Sequence, residues 1–203
     1  MRHRGTPNRD HEAKREGILR AAAGCFARNG FHQSSMKEIC AAADMSPGSV
    51  YRYFPAKEDI ITEMIDADRQ RWEKLLEQVP LENGLIPALR GLADVGLEEL
   101  ETQGFLSLWV ETCAETARNP KVAATLRKSY AAFEERLTGL VADAQRRGLA
   151  DPALEPRATA QIILAAFDGL LLRRCFDRRL DVRAITGSFL SFLDTAVGTP
   201  RNA

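Results

Sequence analysis

The sequence predicts an all-α fold of about nine helices, on three observations. Apolar residues recur at steps of three and four along nearly the whole chain, the period of one helix face. No stretch alternates apolar and polar residues like a half-buried strand, and no repeat or low-complexity tract interrupts the pattern. Helix-start and helix-stop residues punctuate the apolar runs: Ser35, Ser46, Asn119 and Asp181 as N-caps, Asn29-Gly30 and Gly148 as stops. With 203 residues, 45% of them hydrophobic, the chain can form one medium domain, or a small domain joined to a larger one.

Residues 1–9, with Arg2, Arg4 and Arg9, read as a flexible basic arm. The first helix runs from about Asp10 to Asn29, with Ile18, Leu19, Ala22 and Phe26 on one face. Ser35 precedes Met36-Lys37-Glu38, the capping-box pattern. Ser46 precedes Pro47, a good N-cap before a Pro at the first helical position. Two short helices so close together have the spacing of a helix-turn-helix. Their Ile39, Ala43, Met45, Val50 and Tyr53 are expected to meet the first helix in a small three-helix core. A long fourth helix opens at Pro55-Ala56-Lys57-Glu58-Asp59 and keeps an apolar face to about residue 79, interrupted by Asp68. Ala56 cannot cap it, so its start leans on Glu58, Asp59 and a bound phosphate. Leu85 to Leu100 marks a fifth helix, Phe105 to Cys113 a sixth. A seventh follows Pro120, with Leu126, Tyr130, Phe133, Leu137, Leu140 and Ala144 in an a/d seam. The eighth, after Pro156, is apolar nearly all round from Ile162 to Leu172 and must be covered on several sides. Ile185, Phe189, Phe192, Leu193 and Val197 form the stripe of a ninth.

Net charge is zero, but it is unevenly spread. Up to Lys57 there are ten basic and five acidic residues, against 18 and 23 in the rest. A basic front suits a polyanion partner; an acidic back does not. Cys25, Cys40, Cys113 and Cys175 form no C-x-x-C and read as reduced thiols of a cytoplasmic protein. The first residues lack the apolar run of a signal peptide, and no run is long enough to span a bilayer. No Gly-rich phosphate loop, G-x-S-x-G, H-E-x-x-H or metal-ligand spacing appears, which argues against an enzyme, a metal site and a cofactor.

The string M-S-P-G-S-V-Y-R-Y-F-P-A-K-E, preceded by N-G-F-H-Q-S-S-M-K-E-I-C-A-A-A, resembles the DNA-binding signature of the tetracycline-repressor (TetR, AcrR-like) family of bacterial regulators. L-W-V-E-T-C-A-E-T-A-R-N-P and A-F-D-G-L-L-L are similar, more loosely, to the choline-responsive (BetI-like) branch. The resemblance implies a helix-turn-helix DNA-binding domain over 10–57 and an effector-binding, dimerising domain over 58–203. It also implies a homodimer paired through its last two long helices, an effector cavity, and repression of a palindromic operator relieved by a small molecule. An activator or a partner-binding adaptor of the same fold is the alternative. Two departures stand out: Asp44 replaces the usual turn Gly, and Ala56 the usual capping Ser.

For DNA, the candidate residues are Ser35, Met36, Lys37, Ser46, Pro47, Gly48, Ser49, Tyr51, Arg52, Tyr53 and Lys57. Arg52 is the candidate base reader, bidentate to guanine. Lys57, at a helix N-terminus, is the candidate phosphate clamp. The resemblance places the Tyr51 and Tyr53 hydroxyls near phosphates; the other reading makes Tyr51, Tyr53 and Phe54 core aromatics. Effector candidates are Trp72, Phe105, Trp109, Glu111, Cys113, Tyr130, Phe133, Phe167 and Asp168. Glu111 pairs either with a cationic ligand or with Arg118 or Arg127. Candidates for the dimer face are Ile163, Phe167, Leu170, Leu171, Ile185, Phe189, Phe192 and Leu193, with a fully intramolecular core as the other possibility.

Overall fold

The computed structural model describes residues 7–197. Among them are nine helices and no strand: α1 (Pro7–Asn29), α2 (Met36–Ala42), α3 (Pro47–Tyr53), α4 (Lys57–Glu77), α5 (Leu85–Glu101), α6 (Phe105–Thr116), α7 (Pro120–Arg146), α8 (Pro156–Phe176) and α9 (Val182–Val197). Residues 1–6 of the expected arm lie outside the described part; Arg9 is already helical and exposed.

The caps form where the local sequence placed them. Ser35 accepts the Glu38 N–H while Glu38 accepts that of Ser35, so both halves of the capping box are present. Ser46 accepts the N–H of Ser49, with Pro47 at the first helical position. Asn119 Oδ1 accepts from Lys121 and Val122 at the head of α7. Asp181 Oδ1 accepts the Ala184 N–H at 2.9 Å to start α9. Gly30 (φ 77°) and Gly148 (φ 72°) turn left-handed after α1 and α7. Asp44 (φ 53°) makes the turn between α2 and α3 that a Gly would make, a conformation Asp tolerates better than most residues. At α4 the Ala56 N–H donates to Asp59 Oδ2 at 2.9 Å, the half of a capping box that needs no side chain on the N-cap residue.

The chain divides into two compact units. The front unit runs to Ala67 and takes in Gly104–Leu126; the back unit holds Asp68–Gln103 and the chain from Arg127. The expected boundary at 57/58 therefore falls ten residues later, inside α4, and α6 with the start of α7 joins the front. The front core gathers Ile18, Ala22, Phe26, Phe31, Ile39, Val50, Phe54, Ile60, Ile61 and Val122. Each fully buried Ile, Val or Phe there contributes about 1.5–3 kcal/mol of burial free energy. Gly104 (φ 88°) lets α6 lie close on α1, because a Cβ at that residue would stand 2.8 Å from the Ala27 Cβ. The back core is formed by Leu85 and Leu89 of α5, Leu137 and Val141 of α7, Ile163 of α8, and Leu190 and Leu193 of α9.

Candidate nucleic-acid interface and effector region

The pair α2–α3 presents one polar, exposed face. Val50 and Phe54 turn inward and are fully buried, which settles Phe54 as a core residue. On the opposite side of α3, Pro47, Gly48, Tyr51 and Arg52 are exposed, and Tyr51 keeps 48% of its surface. Nothing lies within 4 Å of a Cβ added at Gly48, so its backbone is open to close approach. Ser35, Lys37 and Ser46 are exposed beside them; Ser49 is half-buried, its hydroxyl 2.9 Å from that of Ser46. Met36 does not join this face, because its side chain packs against the front core. Tyr53 is half-buried, with its ring 4.6 Å from that of His11 on α1. Glu38 is the one acid in the capping box: the Ser35 N–H and then the Ser35 hydroxyl hold its carboxyl below the usual range.

Lys57 is engaged with the connector before α2. Its Nζ donates to the carbonyls of Phe31 at 2.5 Å, Ser34 at 2.8 Å and His32 at 3.3 Å, and lies 4.6 Å from the centre of the Phe31 ring. An ammonium has three protons, and here each has a carbonyl. Glu111 meets a backbone N–H and neither Arg118 nor Arg127. Its Oε2 accepts the Phe31 N–H at 2.9 Å, so a carboxylate of α6 holds the α1–α2 connector. Sequence reasoning missed Glu115, one turn further along α6. It is 4% exposed, and its Oε2 lies 2.9 Å from His32 Nε2. The i,i+4 spacing of two glutamates on one helix face was the available signal. At the start of α4, Asp59 is held below the usual carboxylate range by the Lys121 ammonium and by the Ala56 N–H.

The effector candidates fall into two groups. Phe105, Trp109, Glu111 and Cys113 belong to α6 in the front unit; Trp72, Tyr130, Phe133, Phe167 and Asp168 belong to the back. Within the back unit the Trp72 ring meets Phe133 edge-on at 5.5 Å, and Phe167 meets Phe189 edge-on at 6.2 Å. The Tyr130 hydroxyl donates to Asp168 Oδ1 at 3.0 Å. Burial pushes the Asp168 carboxyl up, and the Tyr130 hydrogen bond offsets part of that. Asp68, which breaks the apolar stripe of α4, accepts from Arg71 at 2.7 Å; Arg71 also pairs with Glu99 and lies over the Trp72 ring. A groove of about 840 Å³ opens between the end of α4, the α4–α5 loop and α7, with Glu77, Glu135, Arg136 and Asp143 on its walls. None of the effector candidates lines it.

The expected dimer stripe is mostly internal. Ile163, Leu170 and Leu193 are buried in the subunit's own core, and Phe167, Phe189 and Ile185 pack against it; Leu171 is half-buried. Phe192 alone of that set is exposed, at 68%. The outward face of α8 is instead the row Ile162, Leu172 and Phe176, of which Phe176 is 76% exposed. The inner and outer rows sit one residue apart on a helix that is apolar all round, so periodicity cannot separate them.

Among the described residues no three His, Cys, Asp or Glu side chains gather as a metal site, and no helix is long and apolar enough to cross a membrane. All four cysteines are free.

Comparison with known proteins matches both units. The family described as "Bacterial regulatory proteins, tetR family" matches residues 18–64, and "BetI-type transcriptional repressor, C-terminal" matches residues 88–198. The HTH-type transcriptional regulator UidR of Escherichia coli is 32% identical over 161 residues, 77% of this chain and 79% of the relative. The HTH-type transcriptional repressor AcnR of Corynebacterium glutamicum is 27% identical over 191 residues, 92% of each. The structure of Salmonella enterica GusR superposes with a TM-score of 0.75 at 34% identity, covering 89% of this chain and 95% of that one. A SmeT–triclosan complex shares the fold, with a TM-score of 0.82 at 19% identity over 93% of each chain.

Proposed function

The chain belongs to the tetR family of bacterial regulatory proteins, as a DNA-binding transcriptional regulator with a BetI-type repressor C-terminal domain and not an enzyme, and we propose how it divides the work. It acts in the cytoplasm as a homodimer that sets the exposed face of α3 into successive major grooves of a palindromic operator. The observation that carries this reading is the exposure of Tyr51 and Arg52 on a helix whose other side, Val50 and Phe54, is fully buried. A rigid helix with a small Gly48 at its start can approach the base edges closely. Arg52 reads a base, and Ser35, Lys37, Ser46 and the Tyr51 hydroxyl lie on the same open side to meet phosphates. Tyr53, half-buried against His11, serves mainly to seat α3.

In the back unit, the polar pair Tyr130–Asp168 and the ring pair Trp72–Phe133 are the best-supported contacts for a small-molecule effector. A half-buried carboxyl with one hydroxyl partner has capacity left for a donor on a ligand. The dimer forms through the outward row of α8, Ile162, Leu172 and Phe176, together with Phe192 of α9, since a cluster of large exposed apolar side chains marks an interface.

Operator selection from random duplexes tests the DNA reading. The parent is expected to return a palindromic consensus. Arg52→Ala is expected to lose preference at one position per half-site, worth about 1–3 kcal/mol. An identical consensus for both proteins would remove Arg52 as a base reader.

A further inference from the structure

We propose that His11, on the first turns of α1, is a further operator contact: its imidazole, seated on the Tyr53 ring, donates a hydrogen bond to a backbone phosphate beside the groove that α3 enters. This rests on the reading of α2–α3 as the DNA-binding face.

One face of α1 carries His11, Lys14, Arg15 and Ile18, at the i, i+3, i+4 and i+7 positions of a helix. Its exposure rises toward the N-terminus. Ile18 is fully buried in the front core. Arg15 is half-buried; its guanidinium lies 5.5 Å from the centre of the Phe54 ring and pairs with Glu63 of α4. One turn earlier His11 is exposed, with its ring 4.6 Å from that of Tyr53. Two rungs of α1 thus meet consecutive residues at the end of α3, Tyr53 and its cap Phe54. Between those rungs the face leaves the core along the flank of α3.

That flank is where a phosphate comes. Successive residues of a helix stand about 100° apart, so Tyr53 lies between the exposed Arg52 and the buried Val50. The major groove that admits a helix is about 12 Å wide, and its rims are phosphates. A side chain held on the flank of such a helix meets a rim and not a base edge. In either protonation state an imidazole carries at least one N–H, so the donation does not depend on its charge. Lys14 and Arg15 make the same face of α1 cationic, while Asp10 and Glu12 point to the faces on either side. A polyanion is the partner such a face favours.

The plain alternative is packing: a ring that steadies α3 through Tyr53 and touches no DNA. His11→Phe separates the two, because it keeps a ring for Tyr53 and loses the N–H.

The test couples the side chain to single phosphates. The full-length parent and His11→Phe are titrated against the operator obtained by selection, and against duplexes in which each backbone phosphate is replaced in turn by an uncharged methylphosphonate. His11→Phe is expected to weaken binding to the unmodified duplex about fivefold to tenfold, with an unchanged thermal midpoint. One phosphate per half-site is expected to matter to the parent and no longer to the variant, the non-additivity of partners in contact. His11→Ala, which loses the ring as well, is expected to lose the same coupling. Selection with His11→Phe is expected to return the parent's consensus, since phosphate contacts carry no sequence information. Equal losses in parent and variant at every phosphate would overturn the proposal. So would a shifted consensus, which makes His11 a base reader. Binding by His11→Phe as tight as the parent's, with His11→Ala weaker, would assign packing and overturn it too. A parent that binds its duplex without the coupling brings down this contact alone; a parent that binds no duplex brings down the DNA-binding reading itself.

Discussion

Asp168 is a half-buried carboxyl that accepts a hydrogen bond from the Tyr130 hydroxyl, and its environment opposes its charge. Because burial raises its folded value, the protonated form is the one the fold favours. Its contribution to stability is complete below the unfolded carboxyl value, about 3.9, and is lost as pH rises through the raised folded value. Asp168→Asn removes that loss while leaving an oxygen to accept the Tyr130 hydroxyl. The variant is expected to be more stable than the parent at pH 7 by an amount of order 1 kcal/mol, and the two to converge in acid. Thermal melts across pH check this; a variant that melts lower at pH 7 contradicts it. Thermal shift by a candidate effector, present in the parent and absent in the variant, marks the same carboxyl as a ligand contact. Glu111 shows what a residue alone does not reveal in sequence. Its partner is a backbone N–H 80 positions away, and no side chain marks that N–H. Lys57 is the same case: no side chain marks the carbonyls that it holds.

At the scale of elements, the starts and stops were legible because each is written within three or four residues. Ser35 with Glu38, Ser46 with Pro47, and Asn119 with Pro120 all cap as their local chemistry requires. The start of α4 was legible in part: Asp59 supports it, by accepting the Ala56 N–H. The Lys121 ammonium also holds Asp59 below its usual range, so its stabilising contribution is present above about pH 3.9 and lost as pH falls through the folded value. Asp59→Asn keeps an acceptor for Ala56 and loses the ion pair. It is expected to cost about 0.5–1 kcal/mol at pH 7 and nothing in strong acid, read from denaturant midpoints at the two pH values. The faces of α8 were not legible. On a helix apolar all round, Ile162 and Ile163 are equivalent in sequence, yet one is 61% exposed and the other 2%. The deciding information is what covers each side, which lies on α5, α7 and α9.

At the scale of the whole molecule, the outer row of α8 and Phe192 of α9 predict assembly. Phe192→Asp sits on an exposed position and is expected to leave the melting of the subunit core nearly unchanged while shifting sedimentation at micromolar concentration from dimer to monomer. Leu193→Ala, one residue on and 4% exposed, is expected to cost about 2–5 kcal/mol of stability through its cavity. If Phe192→Asp remains dimeric, the interface lies elsewhere. The two-unit division carries a further consequence, for synthesis. The front unit is not contiguous: it needs residues up to Ala67 and then Gly104–Leu126. A ribosome adding about 5–20 residues per second leaves the reading helices outside the tunnel for several seconds before Glu111 is made. Over that interval the Phe31 amide has no carboxylate to meet. A nascent chain halted after Gln103, before Gly104–Leu126 is made, is expected to show α2 and α3 less protected from amide exchange than the finished protein. The front unit is thus complete only late in translation, when α6 and the start of α7 have emerged.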